Sequence, residues 1–201
     1  KFINNTTGTS STAAKLSSAF SLGFELFSKL DTSYSDLLYR KAGSAYVYAF
    51  EKFGVTQTAS VKSPYIYAEE NYDDDMELAA VMLERANILK EKLQNPETIT
   101  LDERTAMIVN EKITPWFGTD TAKHYQWYPF INIGHYELAK QLKGWSRDTV
   151  VGYYKQGIQR VWSKAKQNAF YRGIPFIWCS NNLTTSFAIQ CNWYKQLTGD
   201  K

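Results

Sequence analysis

The sequence predicts an all-α protein. Apolar residues recur at intervals of three and four in nearly every periodic stretch, which is the helical period. The stretches are bounded by helix-start residues on one side and by Gly or Pro on the other. No segment alternates as a strand does, and the one short apolar run, Ile174 to Cys179, contains Pro175, which counts against a central strand.

The first helix follows Ser11 or Thr12, either of which suits a cap. Leu16, Ala19, Phe20, Gly23, Phe27 and Leu30 form its stripe, and Leu22, Phe24 and Leu26 fill the other side. Apolar almost all round, it is expected to be deeply buried. A second helix from Tyr34 to Phe53 carries Leu38, Ala42, Ala45, Ala49 and Phe53 on one face and Arg40, Lys41, Glu51 and Lys52 on the other, and Gly54 ends it. It reads as an outer helix. A loop rich in Ser, Thr and Tyr follows, from Val55 to Tyr72. Asp73-Asp74-Asp75 then opens a third helix, where three carboxylates suit the free amides and positive dipole of a helix start. Met76, Ala79, Leu83, Ala86 and Leu93 line it. Thr100 to Ile113 gives a weaker fourth helix, with Thr100 and Glu103 as a capping box.

A second loop, Thr114 to Asn132, is loaded with rings. The fifth helix runs from Ile133 to Leu142 and stops at Gly144. The sixth starts near Ser146 with Val151, Tyr154, Ile158, Val161 and Ala165 in phase. The seventh runs from Ser180 to Leu197 with Leu183, Phe187, Cys191 and Tyr194 in phase, and Gly199 ends it. Ser180, Asn181 or Asn182 suits its N-cap. There is no fixed repeat, so a tandem solenoid is not indicated. A helical bundle and an arc of helical hairpins from a larger toroid both remain.

The chain has 201 residues, enough for a sizeable core, with 44% hydrophobic and 21% charged residues. That excludes a disordered chain. A net charge of +3, evenly spread, does not argue for nucleic acid, and no apolar run reaches the length of a membrane span. Cys179 and Cys191 make no disulfide framework; on one helix they would lie about 18 Å apart, too far for a bridge. The chain opens at Lys1 with neither a start Met nor a leader, as a mature or processed piece would. The surplus is aromatic: 14 Tyr, 11 Phe and 6 Trp. Rings with polar tips suit half-wet surfaces.

Two constellations could carry chemistry. In Tyr72-Asp73-Asp74-Asp75-Met76-Glu77, three adjacent Asp cannot all serve a cap, so one carboxylate is available as a cation ligand or a sugar-hydroxyl acceptor; the plain alternative is a solvated cap. From His124 to His135, rings with Asn and His suit a stacking platform for sugar rings, or plug the space between helices. Two His eleven residues apart do not support a His-based metal site. Neither a nucleophilic triad nor a phosphate-binding Gly loop is present. The residues alone point to a helical domain with an aromatic, polar, carbohydrate-binding cleft.

Three segments go further. Asn71-Tyr72-Asp73-Asp74-Asp75-Met76-Glu77-Leu78-Ala79-Ala80 resembles the Y-x-D-D-M-E-L-A-A-A segment of glycoside hydrolase family 9, the inverting cellulases. Tyr128-Pro129-Phe130-Ile131-Asn132-Ile133-Gly134-His135-Tyr136 is similar to that family's P-F-x-N-x-G-H-Y. Gly173-Ile174-Pro175-Phe176-Ile177-Trp178-Cys179-Ser180-Asn181-Asn182 is similar to its G-F-P-F-x-W-C-S-N-N. Ser11-Thr12-Ala13-Ala14 and Gln196-Leu197-Thr198-Gly199-Asp200 match family helix ends. The resemblance covers almost the whole chain, in order.

It implies an (α/α)6 barrel of six hairpins, of which residues 1–201 would be one partial catalytic domain lacking its N-terminal and C-terminal portions. It implies an endo-β-1,4-glucanase acting on β-glucan, secreted or periplasmic, completed by the remainder of the same catalytic domain or by a second chain. The family's D-A-G-D motif with its catalytic base, its H-H-R motif and its acid Glu have no counterpart here, so catalytic residues are expected to be absent from this chain. Tyr72, Asp74, Trp127 and Tyr128 match substrate-lining positions. No cofactor is required, and Asp74 is the position associated with a structural calcium ion. The alternative is a non-catalytic carbohydrate-binding or scaffold module with the same fold. An incomplete barrel is also expected to expose a large apolar patch or to dimerise.

Overall fold

The computed structural model describes residues 6–56, 72–94, 132–174, 176 and 180–200. These hold six helices: α1 (Ser10–Phe27), α2 (Thr32–Tyr48), α3 (Asp73–Gln94), α4 (Ile133–Gln141), α5 (Gly144–Ala165) and α6 (Ser180–Thr198). The predicted helix Thr100 to Ile113 lies outside the described residues. The chain forms two compact units, Lys1–Leu101 and Asp102–Lys201. No helix among the described residues is long and apolar enough to cross a membrane.

In the first unit, side-chain bonds set the helix directions. Ser10 Oγ donates to the Ala49 carbonyl at 2.7 Å and Ser17 Oγ to the Ala42 carbonyl at 2.9 Å. Moving up α1 thus moves down α2, and the two are antiparallel. Lys15 pairs with Asp75 at 2.7 Å and Glu25 with Arg85 at 2.6 Å, so α1 and α3 run parallel. Asp36 pairs with Lys90, and the Tyr39 hydroxyl donates to Asn87 at 2.9 Å, so α2 runs against α3. The Asp31 side chain caps α2 by accepting from the Tyr34 amide at 2.9 Å, which places the helix start two residues earlier than expected.

The expectation that α1 is buried on its large apolar residues is wrong. Its buried residues are Ser10, Ser11, Ala13, Ala14, Ser17, Ser21 and Phe24. Leu16, Leu22, Leu26, Phe27 and Leu30 are exposed. The physical reason is that α1 is wedged against α2 and α3 together. Small residues let two backbones approach it, and the Ser10 and Ser17 hydroxyls are spent on α2 carbonyls. The second helix also ends earlier than expected, at Tyr48. Gly54, at φ 144°, does not terminate it. It closes instead on Gly8, where a side chain would collide with the Phe53 carbonyl. Thr7 and Gly8 amides donate to the Val55 carbonyl and the Ser11 amide to the Gly54 carbonyl.

The second unit repeats the pattern. Asn132 bonds Gln190 and Tyr136 bonds Gln196, so α4 and α6 are parallel. Arg147 donates to the Leu197 carbonyl, and Val161 packs with Leu183, so α5 is antiparallel to α6. Gly144 does not stop α4. Leu142 already leaves the helix in extended backbone, and Gly144, at φ 57°, opens α5. Ser180 is the first residue of α6 rather than its cap. The predicted α5 stripe holds, with Val151, Tyr154, Val161 and Ala165 buried. Gly199, at φ 76°, ends α6 as expected, its amide donating to the Lys195 carbonyl at 2.8 Å.

Candidate functional site

The acidic start of α3 is held from both sides. The Tyr72 carbonyl accepts from the Met76 amide at 3.0 Å, so Tyr72 sits at the helix entrance. Its ring stacks on Phe53 (centroids 5.8 Å apart, planes 21° apart) and packs against the cluster of Ala13, Ala14, Ala49, Met76 and Ala79. Asp75 turns inward, 8% exposed, onto Lys15 of α1. Glu77 is 3% exposed.

Asp74 is the singular group. Burial, then the charges of Asp75 and Glu77, push its carboxyl up to about 8, while Lys15 and its own backbone amide pull the other way. Burial raises Asp73 to about 6. Burial, then the neighbouring Asp73, raises the Tyr72 hydroxyl. The shift favours the protonated form of Asp74, which can both donate and accept. The sequence singles out the Asp cluster, but not which member holds the proton.

Calcium asks for six to eight oxygen ligands. Among the described residues no group of three or more His, Cys, Asp or Glu side chains is placed to hold a metal ion.

Trp127 and Tyr128 lie outside the described residues. The described residues of their motif are packing. Asn132 is fully buried; its amide donates to Gln190 Oε1 at 2.8 Å, and Gln190 Nε2 donates to Ser186 Oγ at 3.2 Å. The Tyr154 hydroxyl donates to the Asn132 carbonyl. His135 is buried against the rings of Tyr153 and Tyr154, and Tyr136 stacks on Trp193 at 5.4 Å. These residues plug the space between helices. Gln190 and Ser186 were not singled out; both fall one position from the predicted apolar stripe of α6, where polarity hides their burial. Cys191 is a half-buried free thiol, and Cys179 lies outside the described residues.

Within each unit the first and third described helices are parallel and the middle one antiparallel, as in the helical hairpins of an (α/α)6 barrel. The family model described as Glycosyl hydrolase family 9 matches residues 1–201. The chain belongs to that family of glycoside hydrolases. No curated protein and no solved structure matches it.

Proposed function

We propose that the chain is a substrate-binding part of the catalytic domain of an inverting endo-β-1,4-glucanase. The observation that supports it is the family match along the full 201 residues. Inverting hydrolysis needs an acid and a base facing each other across the sugar with room for a water. The D-A-G-D and acid-Glu motifs that supply them have no counterpart in this sequence. On this reading both come from the remainder of the same catalytic domain or from a second chain, and this chain supplies substrate-binding residues.

Tyr72, Asp74, Trp127 and Tyr128 are the proposed subsite residues. The protonated Asp74 donates to a sugar oxygen without the desolvation cost of a buried anion, and the rings stack on apolar sugar faces. A polymeric substrate places the protein in a secreted or periplasmic compartment. The test pairs titration of this chain with cellohexaose and a soluble-cellulose hydrolysis assay. Binding without turnover is expected, with binding weakened by Tyr72→Ala. Turnover by this chain alone overturns the assignment of acid and base elsewhere, and absence of any binding overturns the subsite reading.

A further inference from the structure

The turn after α5 is built to hold aromatic rings in solvent. Asn168 is its hub. Its Oδ1 accepts from the Phe170 amide at 3.1 Å and the Arg172 amide at 3.0 Å, and its Nδ2 donates to the Arg172 carbonyl at 2.6 Å. The far end is pinned at Gly173, where any side chain would collide with the Val161 carbonyl. Ile174 then buries itself with Val161 and Leu183. Between the two pins Tyr171 takes φ 48°, a left-handed conformation that is costly for a bulky residue. Strain of this kind persists only where the surroundings over-determine it, and it collects at binding sites. What the strained turn displays is Phe170, 88% exposed, and Tyr171, 70% exposed, with Phe176 beside them at 76%.

Cations lie against rings at the turn and at the end of α5 that leads into it. The Arg172 guanidinium lies 4.4 Å from the Phe176 ring centroid and the Lys166 ammonium 5.2 Å from that of Trp162. Residues 149–199 contain six Lys and Arg and neither Asp nor Glu. Exposed rings with cations set against them suit a partner with apolar faces and negative charge.

We propose that this turn is an accessory binding surface for an acidic polysaccharide, a chain of sugar rings bearing carboxylates. The rings of Phe170, Tyr171 and Phe176 stack on the sugar faces, and Arg172 and Lys166 pair with the carboxylates. Charge complementarity selects the anionic polymer, and membership of a glycoside hydrolase family favours a polysaccharide over other polyanions. Neither the residues at the start of α3 nor a cellulose substrate is needed for this binding.

The experiment is affinity electrophoresis of the full 201-residue chain through gels holding polygalacturonate, neutral hydroxyethyl cellulose, or oligo-dT, with flotation on phosphatidylglycerol vesicles beside it. Retardation by polygalacturonate that falls as salt rises is expected, weakened roughly tenfold by Phe170→Ala with Arg172→Gln. Tyr171→Gly removes a ring while relieving the strained backbone, so it should weaken binding without lowering the melting temperature. No retardation by polygalacturonate, retardation unchanged in these variants, or stronger capture by oligo-dT or vesicles overturns the proposal.

Discussion

Asp74 keeps its proton to about pH 8 and Asp73 to about 6, both above the ordinary 3.8. A carboxyl with a raised folded pKa takes up a proton on folding. Its stabilising contribution is therefore full below about pH 4 and is lost as pH rises through the folded value. Stability in urea is expected to fall from pH 4 to pH 8. Asp74→Asn should flatten that slope and raise stability at pH 7 by about 1–2 kcal/mol; a slope unchanged in the variant refutes the assignment. Asp75 is held by an ion pair. It pairs with Lys15 at 2.7 Å, and Lys15→Met removes that cation from a buried carboxylate, with an expected loss of about 1–2 kcal/mol. Three consecutive Asp look equivalent in sequence. They differ because helical geometry turns Asp75 toward α1 and leaves Asp74 between charges of its own sign.

At the level of the helix, α1 carries the sharpest departure from pattern reading. Its leucines were assigned to the core on number and spacing, yet its Ser and Ala residues face α2 and α3. Ala14→Leu should force the helices apart and cost about 2–3 kcal/mol, whereas Leu26→Ser should change the stability of this chain by under about 0.5 kcal/mol. Chemical denaturation distinguishes the two, and the reverse order of effects would restore the pattern reading. The buried pair of Asn132 and Gln190 gives a second case. Gln190→Leu strands the Asn132 amide and should cost about 2 kcal/mol. The α5 stripe and the Gly199 stop were legible from sequence, because they depend on one helix and its own end.

For the molecule as a whole, the exposed Leu16, Leu22, Leu26 and Phe27 recur at spacings that place them along one side of α1, and Leu30, 78% exposed, follows just beyond its end. A contiguous apolar face of this kind calls for cover. Sedimentation of the isolated chain is expected to show a dimer or larger species, collapsing toward monomer in Leu16→Ser with Leu26→Ser. A monomer at high concentration would show that the face needs no partner.

By itself the sequence determined that the protein is helical, where most helices begin and end, and the family to which it belongs. Period, caps and ordered motifs are local properties, written in residues close together along the chain. Only the tertiary structure decided that α1 turns its leucines outward, that Asp75 pairs with Lys15, that Asn132 finds Gln190, and that Tyr171 is held strained in solvent. Each of those rests on burial and on the spacing of groups set by packing, quantities that come into being when helices distant in sequence are laid side by side.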